Sequence, residues 1–242
     1  MLKKMIVLLC IPMLMIAFLA GCSKSAADTD SQSDEPTSAA VNGYPDNDDD
    51  EKEEFPTVAD FDAAKVAKAM EVSAEVFDTG YSHVLYLFIT NNAGVDCDLT
   101  LSVDLFDEDG SLVKTTTGFI DAFADGTTVA ENFYSEEAFA TYEYKINASA
   151  ISYHYPVDKD LTAAVETADD KAVISVANSG KKAAKYVEFF AFFYNGDELV
   201  GTDWGYCSDS DNEIKPGDTQ IGEAHCYKDF TDVKVYIHGE TY

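Results

Sequence analysis

Leu99-Thr100-Leu101-Ser102-Val103-Asp104-Leu105 alternates apolar and polar side chains without a break. Successive side chains of an extended chain point to opposite faces, so this stretch reads as a strand with one face buried and one in water. Its neighbours follow the same period of two. Upstream, Val72, Ala74 and Val76 alternate, and Val84 to Ile89 is apolar on both faces, as a central strand would be. Downstream, Asp107-Glu108-Asp109-Gly110 reads as a hairpin turn with Gly110 at the position that needs positive φ. Leu112 to Ile120 then returns, Asp125-Gly126 reads as a second hairpin, Val129 to Tyr134 runs back, and Tyr142, Tyr144 and Ile146 close the set. Roughly six or seven strands, with turn signals about every 8–12 residues, predict an antiparallel β-sandwich rather than an α/β scaffold.

The second half of the chain repeats the plan. Ile89-Thr90-Asn91-Asn92 is echoed by Val176-Ala177-Asn178-Ser179, and Leu105-Phe106-Asp107 with Leu112-Val113 by Phe192-Phe193-Tyr194 with Leu199-Val200. Asp125-Gly126-Thr127 is echoed by Pro216-Gly217-Asp218-Thr219. The step from Leu112 to Leu199 is 87 residues, the length of a duplicated domain and far from the short period of a solenoid. Pro156, in Tyr153-His154-Tyr155-Pro156-Val157, interrupts the pattern and places the boundary there. The expected fold is all-β, with tandem β-sandwich domains at 55–152 and 153–242.

Asn178, the aromatic run Tyr186-Val187-Glu188-Phe189-Phe190-Ala191-Phe192-Phe193-Tyr194-Asn195-Gly196, Leu199-Val200-Gly201 and Lys215-Pro216-Gly217-Asp218-Thr219 together resemble the FxLYD-type domains of bacterial surface proteins. That resemblance implies an immunoglobulin-like β-sandwich and no catalytic residue. Residues 70–150 follow the pattern more loosely, with Leu105-Phe106-Asp107 at the motif position and no proline beside Gly126.

Ahead of both domains, Lys3 and Lys4 precede an apolar run from Met5 to Leu19 that ends in Leu19-Ala20-Gly21-Cys22. A basic start, an apolar core and a small-residue end are the parts of an export signal. The last four residues resemble the lipobox of bacterial lipoproteins, which implies removal of 1–21 and a diacylglyceryl thioether on Cys22. Residues 22–54 carry little to bury and culminate in Asp46-Asn47-Asp48-Asp49-Asp50-Glu51, so they read as a disordered acidic tether of roughly 30 Å reach. Val58, Phe61, Ala64, Val66 and Ala67 then predict one short helix that lids the first domain, with Asp60 as a candidate N-cap. The whole arrangement is similar to surface lipoproteins of Gram-positive Firmicutes, which implies an extracytoplasmic, lipid-anchored location.

The net charge of −29 becomes −31 once Lys3 and Lys4 leave. Such a chain repels phosphate backbones and anionic head groups, which disfavours nucleic acid as a partner. Side chains with reactive chemistry are few. Cys207 and Cys226 lie symmetrically about Pro216-Gly217, so a regular hairpin there would face them across two strands and make them disulfide candidates. A zinc site with His225 is the weaker alternative, because adjacent strand residues point to opposite faces. Cys97 sits beside Asp96 and Asp98, which raise a thiol's pKa and argue against a nucleophile. His83, His154, His225 and His238 form no metal-binding or acyl-transfer motif. Asp209, Asp211 and Glu213 alternate hard oxygen ligands on a loop, a weak calcium candidate without an EF-hand's glycine turn. Trp204 and Tyr206 belong to the densest aromatic stretch, and exposure there would mark a glycan- or partner-contact patch.

These observations point to a non-catalytic surface lipoprotein, neither an enzyme nor in need of a cofactor. It would be held to the membrane by its lipid anchor and bind an envelope protein or glycan of unknown identity. The alternative is a structural accessory domain of an envelope complex, and calcium binding or a transporter's solute-binding role is weaker still.

Overall fold

A computed structural model describes residues 61–207 and 211–242. The expected leader, Cys22, the 22–54 tether, Asp60 and Asp209 lie outside the described residues. The chain opens with α1 (Ala63–Lys68) and continues almost entirely in antiparallel strands. The helix is capped by Asp62 and not by Asp60: the Asp62 carboxylate accepts the Lys65 amide at 3.1 Å, and Val66 is the helix residue buried in the first core. No helix of the described residues is long and apolar enough to cross a membrane.

Six strands follow: β1 (Met70–Asp78), β2 (His83–Asn91), β3 (Cys97–Phe106), β4 (Leu112–Phe123), β5 (Thr128–Ser135) and β6 (Thr141–Ser149). They form two sheets, ordered β1-β2-β5 and β4-β3-β6. Leu85, Leu87 and Ile89 of β2 meet Leu99, Leu101, Val103 and Leu105 of β3 between the sheets, so the alternating stretch 99–105 supplies one wall of a buried core. Its outward Thr100, Ser102 and Asp104 stay partly exposed.

After β7 (Tyr155–Pro156) and a 3₁₀ turn at Asp158–Asp160, the plan recurs with β8 (Leu161–Thr167), β9 (Lys171–Asn178), β10 (Ala184–Asn195), β11 (Glu198–Tyr206), β12 (Glu213–Ile214), β13 (Thr219–His225) and β14 (Asp232–Thr241). Here the sheets are ordered β8-β9-β13 and β11-β10-β14-β7, with β12 added to β10. Ile174 and Val176 face Phe189, Ala191 and Phe193 across a second core.

The repeat extends to side-chain bonds. Asn91 and Asn178, 87 residues apart, are both almost fully buried. The Asn91 amide donates to the carbonyls of Val95 (3.0 Å) and Phe123 (3.2 Å), and its oxygen accepts the Ala93 amide. Asn178 repeats this with Lys182 and Ile214, both at 2.8 Å, and with the Gly180 amide. Each asparagine backbone also clamps a glycine turn, Gly126 to Asn91 and Gly217 to Asn178. These turns are not hairpins. β4 pairs with β3 while β5 pairs with β2, so Asp125-Gly126 carries the chain from one sheet to the other, and Pro216-Gly217 does the same before β13, which pairs with β9.

A third apolar cluster joins the sandwiches. Val84, Tyr86, Phe88 and Ala130, on the outer face of the β2 sheet, pack on Phe190, Phe192 and Tyr194, on the outer face of the β10 sheet. Phe192 stands edge-on to Tyr86 (4.8 Å between ring centres) and to Phe88 (4.9 Å). Aromatic pairs of this geometry add about 0.5–1.5 kcal/mol each to the gain from burial. Polar bonds close the rim: Tyr86 donates to Thr202 at 2.9 Å and Tyr194 to the Glu75 carboxylate at 2.9 Å.

Candidate functional site

At one end of this interface the sheets part and leave a cleft of about 220 Å³. The first sandwich contributes Phe119, Ile120 and Asp121 of β4 and Val129 to Glu131 of β5, and the second contributes Tyr186, Glu188 and Phe190 of β10, Tyr206 of β11, and Tyr236 and His238 of β14. Two irregular strand pairings shape the walls. Ala122 (φ 49°) and Tyr186 (φ 48°) are left-handed residues other than glycine, next to shifts in the β3–β4 and β10–β14 registers. Such bulges bend the strand and re-aim its side chains; Tyr186 is exposed and lines the cleft.

Glu131 occupies a core position. It lies opposite Leu87, between Val129 and Phe133, all of whose side chains belong to the first core. Gly118 makes the room, since a Cβ there would lie 2.6 Å from Glu131 Oε1. Burial, then the Glu188 carboxylate, push the Glu131 carboxyl up to about 7, with His238 partly opposing them. Glu188 is raised as well by burial, against the pull of His238 and a hydrogen bond from Tyr206.

His238 bridges the sandwiches. Its Nδ1 lies 3.1 Å from both oxygens of the buried Asp158, and Nε2 donates to the Asp121 carbonyl of β4 at 2.9 Å. Burial by itself lowers the imidazole's pKa, but Asp158, the Asp121 carbonyl and Glu188 outweigh it, and the net shift is upward. Acceptors on both ring nitrogens suit the imidazolium. Beside it, Asp121, His154 and Glu240 bring possible ligand atoms within 4.8 Å of one another, with His154 Nδ1 at 2.7 Å from Glu240.

Trp204 and Tyr206 are 56% and 49% exposed, edge-to-face at 6.1 Å on the edge strand β11. Tyr206 lines the cleft, and Trp204 is its ring neighbour outside the lining.

The other candidates separate. Cys207 and Cys226 are both buried and both free. The expected pairing fails because β11 and β13 belong to different sheets. The Cys207 sulfur lies against Gly222 and the Cys226 sulfur against Gly201. Gly222 is four residues before Cys226 on extended chain, roughly 13 Å away, beyond the reach of a disulfide. Burial pushes the Cys207 thiol up to about 11. Cys97 is pushed up to about 12 by burial and then by Asp98, Asp96 and Asp125, the direction read from the sequence. His225 lies 3.9 Å from Glu223, and its backbone amide donates to Asp203. Of the calcium candidates, Glu213 pairs with Lys215 at 3.6 Å and Asp211 borders the undescribed 208–210.

Glu131, Glu188 and His238 were not singled out by motif. For the two glutamates the signal was an acid in an apolar register: Glu131 in Val129-x-Glu131-x-Phe133, and Glu188 in the outward series Glu188-x-Phe190-x-Phe192-x-Tyr194.

No family model matches the chain, and no curated protein does. Among solved structures it is similar to red sea bream transglutaminase at 10% identity and a TM-score of 0.25, over 69% of this chain. The chain spans 29% of that structure's length. A likeness at that level assigns this chain no activity.

Proposed function

We propose that this protein is a non-catalytic binding module, held on the outer face of a membrane through a lipid on Cys22 and carried clear of it by the 22–54 tether. The supporting observation is the exposed Trp204–Tyr206 pair, of which Tyr206 lines the cleft between the sandwiches. Large aromatic side chains left in water beside a concavity are typical anchors for a glycan or a protein partner. The FxLYD resemblance agrees, since it implies a display scaffold without catalytic groups. Trp204 is the chain's one tryptophan, so its emission reports on this surface directly. Titration with fractionated envelope glycans and peptides should give a saturable change in emission that Tyr206→Ala weakens at least tenfold. Unchanged emission with every fraction, together with recovery of the chain from crosslinked cells only inside one membrane complex, would favour a structural accessory role instead.

A further inference from the structure

Glu131 and Glu188 line the cleft, and among the described residues neither forms an ion pair. Among the described residues Glu131 forms no hydrogen bond and no ion pair, yet its oxygens are not sealed from solvent. The His238 imidazole is already engaged by Asp158 on one ring nitrogen and by the Asp121 carbonyl on the other. Around the two carboxyls the wall is aromatic, formed by Tyr186, Phe190, Tyr206 and Tyr236. Ring faces attract a cation through their quadrupole, and carboxylates supply its hydrogen-bond acceptors. A hard divalent ion would instead need several ligand atoms within mutual reach, and among the described residues neither Glu131 nor Glu188 belongs to a group of three or more such ligands. A volume of about 220 Å³ falls below the range of drug-sized pockets and suits one short chain.

We propose that the cleft binds an organic ammonium group, a primary amine on a short alkyl chain, with Glu131 and Glu188 as its charge partners and Tyr186 and Tyr206 as its ring walls. This assignment rests on the binding-module reading and gives it a ligand class. The raised carboxyl of Glu131 accords with it, because burial and then the Glu188 carboxylate disfavour a negative charge that an ammonium would stabilise. The ammonium can come from a free amine or from a lysine side chain of a polypeptide.

The test is calorimetry and Trp204 emission on the full chain, with 1,4-diaminobutane, Nα-acetyl-lysine N-methylamide and, as a neutral control, 1-butanol. At pH 8 one or both amines should bind saturably and butanol should not. Preference for the lysine derivative assigns the polypeptide source, and preference for the diamine the free one. Affinity should fall at least tenfold at pH 5.5, where Glu131 is protonated. The other titratable groups facing the cleft are Asp121 on β4, Tyr186 and Glu188 on β10, Tyr206 on β11, and Tyr236, His238 and Glu240 on β14. His238 acts in the same direction, since its charge repels an ammonium more strongly at the lower pH. Glu131→Gln and Glu188→Gln should each weaken binding at least tenfold, and Glu131→Gln should leave the melting temperature unchanged or higher, which separates lost binding from lost fold. Binding that survives the double substitution, or a response to calcium or zinc alone, overturns the assignment. A response to envelope fractions without any response to amines overturns it while the binding-module reading stands, and a response to neither overturns both.

Discussion

The two sandwiches repeat one topology, yet equivalent sheets treat their outer faces in opposite ways. In the first sandwich β3 turns Thr100, Ser102 and Asp104 outward, whereas its counterpart β10 turns Phe190, Phe192 and Tyr194 outward. The other sheets reverse the roles: β2 presents Val84, Tyr86 and Phe88, and its counterpart β9 presents Val173, Ser175 and Ala177. Each two-faced strand is covered by the other. The repeat therefore keeps the inner face, which each core needs, and leaves the outer face free to be either surface or interface. The cleft lies where that interface opens, and its acids stand where the apolar pattern breaks.

The largest test removes the cover. Phe192→Ala deletes a fully buried ring packed on Tyr86 and Phe88, and should cost about 3–5 kcal/mol in urea unfolding. On the uncovered counterpart strand, Ser102→Ala should shift stability by no more than about 0.5 kcal/mol. If the two substitutions cost the same, the outer faces are not different in kind.

Matched substitutions sharpen the likeness in the comparison. Asn91→Ala and Asn178→Ala each strip one buried and one part-buried carbonyl of their donor, and each should cost roughly 2–4 kcal/mol, equal to each other within about 1 kcal/mol. Unequal losses in equilibrium unfolding would mean that only one corner depends on its latch.

The cleft acids predict a pH dependence. Glu131 holds its proton to about 7 when folded against an ordinary 4.5, so the folded state binds more protons across that window and stability falls as pH rises through it. His238, raised when folded, contributes stability that is complete below its unfolded pKa and is lost as pH rises through its folded one. Both act in the same direction. Discounted for solvent in the cleft, the Glu131 share is about 2 kcal/mol, and Glu131→Gln should remove it, flattening the profile of melting temperature between pH 5 and 8. A wild-type profile that rises with pH in that window would contradict this. The smallest effect is Tyr86→Phe, which loses the 2.9 Å bond to Thr202 and should cost about 1 kcal/mol.

Much of this was legible in the residues. The period of two located the strands of both halves, the 87-residue echo anticipated the repeated topology, and Asp96 and Asp98 foretold the upward shift of the Cys97 thiol. What failed has one physical cause: a glycine turn uses the same backbone conformation whether it closes a hairpin or changes sheet. Asp125-Gly126 and Pro216-Gly217 were therefore read as hairpins, and the Cys207–Cys226 pairing fell with the second of them. Strand β2 was read as central because both its faces are apolar. It is central, but its outer face is apolar because a second sandwich lies on it, and periodicity cannot distinguish the two reasons.

The claim that the sandwiches are held as one body by their aromatic faces is tested most directly by urea unfolding read at both ends. Cys97 is buried in the first sandwich and Trp204 belongs to the second, so site-resolved thiol labelling of Cys97 and emission of Trp204 follow the two separately. The two transitions should coincide in the wild type and separate in Phe192→Asp, as expected when a cooperative unit is split. Separate transitions in the wild type would contradict the account.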